Sequence, residues 1–274
     1  MQLSIKRVKI KLKQEKRDLM SYQKELDLLI KAIPEVYEQA KEVKKEISYK
    51  AGNEVVTSID LFVESELIKR IKDIFPLDTF LSEEFYQNEH LNDRTWVIDP
   101  IDGTSNFSVE LDLFVIQVAL YDKGTFVLSM IYVPTTNKML YALKGVGAFR
   151  NGVKYLVSDS KEKENLMLSM VGITTKHKDK TVYEKLIVHS MTSNTKIRIL
   201  GSIGLEMSLM SEGVFDMFYS SVTNIWDIAP GILLSKEAGA LVFNEQGKPY
   251  QIGDKHLFIT KSERSKAVLL GIII

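Results

Sequence analysis

Trp96-Val97-Ile98-Asp99-Pro100-Ile101-Asp102-Gly103-Thr104-Ser105-Asn106-Phe107 is the stretch that decides how this chain is read. The residues leading into it, Thr95 to Ile98, are aromatic and β-branched, the composition of a strand that ends inside a core. Asp99 and Asp102 follow, three positions apart, around a proline that cannot donate to a strand ladder. Gly103 and Thr104 suit a tight turn and the start of a helix. A strand end, two converging carboxylates and the free N–H groups of a helix start can hold divalent cations beside a phosphate. The same carboxylates can also do no more than cap a turn. Their apolar flanks speak against that bland role, because unpaired charge near a core is costly.

Upstream, Thr79-Phe80-Leu81 reads as a short strand that delivers Ser82-Glu83-Glu84-Phe85, with the polar residues 86–94 as a covering loop. Before it, Ile59, Phe62, Val63, Leu67, Ile71, Ile74 and Phe75 form one face of an amphipathic helix that Pro76 stops. Thr57 and Asp60 have the spacing of a capping box at its start. Residues 48–56 read as a loop that contains Lys50, with Gly52 and Asn53 as its turn. Further back, Leu26, Leu29, Ile30, Ile33, Val36 and Tyr37 recur at helical spacing. That helix is expected to reach about Ile47, with Pro34 kinking or restarting it.

Downstream the pattern becomes a β-meander, with strands at 114–121, 125–133 and 138–143 joined by short turns. The polar residues 158–165 read as the boundary between two halves. Beyond it strands alternate with helices: strands near 166–169, 197–200, 215–219 and 241–243, and helices at 180–191, at 201–210 and after Asn224. Asp227, in Trp226-Asp227-Ile228-Ala229-Pro230-Gly231, is expected as an N-cap, with Pro230 in the first turn. The chain thus divides into a basic extension (1–18), an α+β half (19–157) and an α/β half (158–274).

The 274 residues carry 36 basic and 36 acidic side chains, so no global field favours nucleic acid or an acidic membrane. The local exception, Lys6 to Arg17, has seven basic residues and one acidic, and reads as a solvated helix face or a frayed terminus. There is no cysteine, which excludes disulfides, thiolate zinc sites and a cysteine nucleophile. The apolar tail Ala267 to Ile274 is too short to span a bilayer, and no leader pattern is visible. A cytoplasmic protein is expected.

Together, Asp-Pro-Ile-Asp-Gly-Thr, the upstream Glu83-Glu84 and the downstream Trp226-Asp227-Ile228-Ala229 resemble the inositol monophosphatase superfamily of magnesium-dependent, lithium-sensitive phosphatases. The resemblance runs in the family's order from about Leu19 onward. It implies an αβαβα sandwich of the kind shared with fructose bisphosphatases, with an antiparallel sheet in the first half and a mixed sheet in the second. It also implies that Glu83, Asp99, Asp102, Asp227 and the carbonyl of Ile101 bind two or three Mg2+ ions, or Mn2+. Gly103 and Thr104 would offer N–H groups to the phosphate. Asp60 and the Thr104 hydroxyl would orient and deprotonate a metal-bound water, and Glu84 would support the metal ligands. Ile203, Gly204 and Ser220 would lie at the leaving-group pocket. A homodimer is implied as well, since family members are often dimers.

Three positions depart from the family pattern. Ser82 stands where glycine usually precedes the glutamates, and restricts that loop. Pro230 replaces a common alanine. Ser220 stands where inositol-specific enzymes carry a glutamate that binds ring hydroxyls. Thr223 to Asp227 resembles the bisphosphate nucleotidase branch, whereas Thr104-Ser105-Asn106-Phe107 resembles the inositol phosphatase branch. None of His90, His177, His189 and His256 adjoins these motifs, which disfavours a phosphohistidine intermediate. The expected function is hydrolysis of a small polyol or sugar phosphate by direct attack of water, with no nucleic-acid or membrane partner. Alternatives are a 3′(2′),5′-bisphosphate nucleotidase, a fructose-1,6-bisphosphatase, or a non-catalytic regulator that binds a phosphorylated metabolite. An RNA- or membrane-binding role for Lys6–Arg17 is the remaining reading.

Overall fold

A computed structural model describes residues 21–50, 54–157, 165–171, 180–221 and 224–274. The Lys6–Arg17 run, the Gly52-Asn53 turn, most of the 158–165 boundary, His177 and Thr223 lie outside the described residues. Helix α1 (Gln23–Ala40) buries Leu26, Leu29, Ala32, Ile33 and Val36 along one stripe. It passes through Pro34 as one element, and ends at Ala40 rather than near Ile47. Val43 beyond it still packs against the same core, but Ile47–Tyr49 (β1) pairs antiparallel with Val55–Thr57 (β2) instead of continuing the helix. Helix α2 (Ser58–Ile74) starts with the expected capping box: Thr57 accepts from the Asp60 N–H, and Asp60 accepts from the Thr57 N–H.

The first sheet has seven strands in the order β3 (Thr79–Ser82), β4 (Arg94–Asp102), β5 (Val115–Asp122), β6 (Thr125–Val133), β7 (Lys138–Leu143), β8 (Gly147–Arg150) and β9 (Val153–Tyr155). All its pairings are antiparallel except β3 with β4, which run parallel at one edge. Short helix α3 (Thr104–Ser108) follows β4. The second sheet has the order β11 (Lys196–Arg198), β10 (Met167–Met170), β12 (Met217–Ser221), β14 (His256–Thr260) and β13 (Leu241–Phe243). It is mixed, because β10 pairs parallel with β11 and β12, whereas β14 pairs antiparallel with β12 and β13.

Side-chain alternation along the strands sorts the cores into layers. Trp96, Ile98, Ile116, Val118 and Leu120 face α1 and α2. Val115, Ile131, Val133 and Leu140, on the opposite face, meet Leu205, Leu233 and Leu234 of α5 (Ile203–Ser211) and α6 (Ile225–Glu237). The other side of that helical layer, with Met207, Met210, Ile228 and Ile232, packs on Phe218, Leu257 and Ile259 of the second sheet. Finally Tyr183 and Leu186 of α4 (Thr181–Thr192), and Leu269 and Ile273 of α7 (Glu263–Ile273), cover the far face. The result is the expected αβαβα sandwich. Among the described residues no helix is long and apolar enough to cross a membrane.

Helix α6 differs from expectation at its start. Asn224 is the N-cap, and Asp227 is the third helical residue, forming a capping box with Asn224. Pro230 is therefore the sixth helical residue, past the turn in which N–H groups lack partners. Its missing N–H leaves one intrahelical bond unmade within a buried stretch.

Candidate active site

Strand β4 carries the two aspartates of the central motif to one point by breaking its ladder. Asp99 pairs across from Gln117, but Asp102 pairs across from Val115, so the register shifts between them. In a regular strand residues three apart point to opposite faces; the extra residue beside Pro100 lets both carboxylates converge. Helix α6 brings Asp227 to the same place from the other half. One carboxylate oxygen each from Asp99, Asp102 and Asp227 lie within 4.8 Å of one another. These three, with Glu83, Ile101, Gly103, Thr104, Glu54, Val55, Ser105 and Gly201, line a polar cavity of about 200 Å³.

The carboxylates are held individually. Asp102 Oδ2 accepts from the Ser202 hydroxyl at 2.5 Å and the Gly204 N–H at 2.6 Å, and Oδ1 from the Ile203 N–H at 3.1 Å. Asp102 thereby caps α5 from outside its own segment. Asp227 accepts from the Asn224 N–H at 3.0 Å. Asp99 Oδ2 accepts from the Gln117 amide at 3.3 Å, while Asp99 Oδ1 is buried without a partner. Burial, and then the neighbouring Glu83, Asp102 and Asp227, push the Asp99 carboxyl well above the usual range. Burial, then the Asp227 charge, raise Glu83 to about 8. Asp227 reaches about 7 by burial and then by Asp102. Asp102 reaches about 6 through burial, opposed by the Ser202 hydroxyl and the α5 N–H groups.

Such mutual strain suits a cation site. The donor set is wholly carboxylate and carbonyl oxygen, which matches a hard divalent ion, and the orphaned Asp99 Oδ1 has no other use for its lone pairs.

Beside this cluster, Thr104 Oγ1 lies 2.9 Å from Asp60 Oδ1 and 2.7 Å from the Ile101 carbonyl, and can donate its proton to either. Asp60 is fully buried, and its Oδ2 accepts from the Thr57 hydroxyl at 2.5 Å and the Thr57 N–H at 3.0 Å. Burial raises its carboxyl above the usual range against those bonds. Glu84 turns from the cavity to accept from Lys50 Nζ at 2.5 Å, with Glu83 3.5 Å from the same ammonium. Gly103, with φ of 98°, occupies the left-handed region, and a Cβ there would meet the Leu113 carbonyl at 2.8 Å.

The proposed leaving-group residues are dispersed. Ile203 and Gly204 reach the site through their N–H groups on Asp102. Ser220 is fully buried, its hydroxyl has no partner, and it does not line the cavity.

Sequence reasoning gave no role to several residues that shape this site. Glu64, fully buried on α2, accepts from the Ser82 hydroxyl at 2.5 Å and from the Glu84 and Phe85 N–H groups at 2.9 and 2.8 Å. It pins the turn that carries both glutamates, and Ser82 is the restricting contact. Asn106 donates to the carbonyls of Leu113 and Leu200, both at 2.8 Å. Glu206 accepts from the Leu200 N–H at 2.6 Å and the Ser169 hydroxyl at 2.8 Å, and burial raises it to about 7. In the sequence Lys50 reads only as a loop residue. One signal was available for Glu64: it lies one turn after Asp60 on the same helix face.

The sequence profile of the inositol monophosphatase family matches residues 19–273. A fructose-1,6-bisphosphatase/inositol-1-monophosphatase of Thermotoga maritima is 36% identical over 206 residues, 75% of this chain and 76% of that protein. The protein named Nus factor SuhB from Salmonella typhimurium is 33% identical over 206 residues, 74% of this chain and 76% of its own. Among solved structures, an IMPase of Thermotoga maritima superposes with a TM-score of 0.80 at 29% identity, covering 91% of this chain and 98% of that one.

Proposed function

The chain belongs to the inositol monophosphatase family, and from that premise we propose that it is a magnesium-dependent phosphomonoesterase acting on a small polyol or sugar phosphate. The observation that carries the proposal is the convergence of Asp99, Asp102 and Asp227 around an unpartnered buried oxygen, beside the Thr104–Asp60 pair. Glu83, Asp99, Asp102, Asp227 and the Ile101 carbonyl would hold Mg2+. When bound, the ions supply Lewis acidity that neutralises phosphate charge and makes water a better nucleophile.

The chain's own groups do the rest. With its proton directed at Asp60, the Thr104 oxygen presents lone pairs to a water in the cavity. As that water attacks phosphorus, its proton passes to Thr104 Oγ1 and the Thr104 proton to Asp60 Oδ1, while the ester P–O bond breaks and the departing alkoxide takes a proton from solvent water. The raised affinity of buried Asp60 for a proton favours this transfer. The backbone N–H groups of Gly103 and Thr104 meet the phosphate oxygens. Glu84 and Lys50 hold the turn that aims Glu83. Water attacks directly in this reading, since among the described residues no histidine lines the cavity. The cysteine-free composition suits a cytoplasmic setting.

A non-catalytic role would accord with relatives named as Nus factors, but a full acidic set and the Thr104–Asp60 pair support catalysis. The test is phosphate release from inositol 1-phosphate, fructose 1,6-bisphosphate, adenosine 3′,5′-bisphosphate and glycerol 2-phosphate, with magnesium, with chelator and with lithium. Magnesium-dependent turnover of a polyol or sugar phosphate is expected. Preference for the nucleotide would overturn the substrate assignment, and no turnover by folded protein would overturn the enzymatic one.

A further inference from the structure

Gln117 of β5 stands directly across the antiparallel ladder from Asp99. Its neighbours Val115 and Ala119 belong to the sheet face that α5 and α6 cover, and Gln117 is fully buried there. The amide nitrogen donates to Asp99 Oδ2 at 3.3 Å and to the backbone carbonyl of Asp227 at 3.2 Å. The carbonyl can only accept, and so can the ionised carboxylate, so the amide has one orientation, with nitrogen toward them and Oε1 away. Oε1 is left buried with no hydrogen-bond partner. It lies against Gly204, where a Cβ would come within 2.7 Å of it.

A buried amide oxygen without a partner is destabilising. Methionine or leucine would occupy the same volume without that cost, so packing between the sheet and α5–α6 gives no reason for a glutamine. Its two donated bonds do. One reaches a carboxylate of the first half, the other the backbone of the helix that delivers a carboxylate from the second.

We propose that Gln117 is a positioning residue for the metal centre, fixing Asp99 and the first turn of α6 relative to each other. Holding Oδ2 leaves Asp99 Oδ1 as the oxygen free to ligate. Without the amide, the Asp99 carboxylate turns about a soft terminal torsion, and the spacing between Asp99 and Asp227 loses its strut. Magnesium demands near-octahedral oxygen geometry, so its affinity depends on that spacing. The inference rests on the metal-dependent reading of the site proposed above.

The experiment is calorimetric titration of metal-free protein with Mg2+, paired with thermal unfolding in chelator, for the wild type and Gln117→Met. Methionine keeps the reach of the side chain and removes both donors. The expected result is a magnesium dissociation constant raised about tenfold or more, with a metal-free melting temperature no lower than that of the wild type. Equal magnesium affinity in the two proteins overturns the inference. So does weakened affinity accompanied by a matching fall in metal-free melting temperature, the signature of a purely structural role. If the methionine variant is unfolded at the assay temperature, Gln117→Leu carries the same comparison with the same outcomes. A folded wild type that takes up no Mg2+ fails at an earlier step, and overturns the metal-dependent reading beneath the inference.

Discussion

Replacing Glu64 tests whether the glutamate turn is held from behind. In Glu64→Ala the Ser82 hydroxyl and the Glu84 and Phe85 N–H groups lose their common acceptor. A hydrogen bond to a charged group contributes about 1.5–3 kcal/mol. The three are not additive, and the carboxylate itself is disfavoured by burial, which raises its pKa against those same bonds. A net loss of about 3 kcal/mol is therefore expected. At roughly 2–4 °C per kcal/mol for a chain of this size, the melting temperature falls by about 6–12 °C. Glu64→Gln keeps one acceptor oxygen but turns an NH2 toward a donor, and should lose about half as much. Differential scanning calorimetry in chelator reads the stability, and the magnesium concentration for half-maximal phosphate release reads the loosened Glu83. A Glu64→Ala variant that melts within about 2 °C of the wild type, at the scale just given, would refute the reasoning.

Other consequences follow from the same geometry. Metal-free protein should lose stability as pH rises from about 4 to about 8, because Glu83, Asp227, Glu206 and Asp102 bind protons more tightly folded than unfolded. The stabilisation is complete below the ordinary carboxylate range near 4, and it goes as the folded groups ionise. Melting curves against pH should show that slope in chelator, and magnesium should flatten it. Arg94→Met removes a guanidinium held by Glu25 at 2.6 Å and Asp78 at 2.8 Å, with Asp122 at 3.4 Å, and should cost about 3–5 kcal/mol in denaturant unfolding. Arg94 opens β4 and Asp102 closes it, roughly 26 Å apart at about 3.3 Å per residue, so kcat/KM should be unchanged. Gly204→Ala drives a methyl against Gln117 and Val115. It should cost about 1–3 kcal/mol by overpacking and weaken magnesium binding together with stability.

What could be read beforehand was what sequence neighbours decide. The strand ending at the Asp99–Asp102 pair, the Thr57–Asp60 capping box and the bounds of β6 and β7 all follow from local pattern. The end of α1 is not legible in the sequence because β1 is fixed by a partner that lies beyond it in the chain, and that pairing outweighs the helical tendency of the charged residues after Ala40. Asp227 was misplaced at the cap by three residues, because Asn224 and Asp227 both suit a helix start. Glu64, Gln117 and Glu206 were not singled out, since each acts on residues brought close only by the sheets and the α5–α6 layer. A glutamine in an apolar strand carries no sequence sign that Asp99 faces it across the ladder. Ser220 was placed by family position alone, and the fold buries it.

The most direct measurement is phosphate release from inositol 1-phosphate by the wild type and by Asp227→Asn, each with magnesium and with chelator. Asp227→Asn keeps the size of the side chain and an oxygen to accept from the Asn224 N–H, but removes the charge from the cavity. The account predicts magnesium-dependent turnover by the wild type, abolished by chelator, and loss of about two orders of magnitude or more in the variant, in the range seen when a charge-stabilising group is removed. Turnover that survives chelation, or an Asp227→Asn variant as active as the wild type, would contradict it.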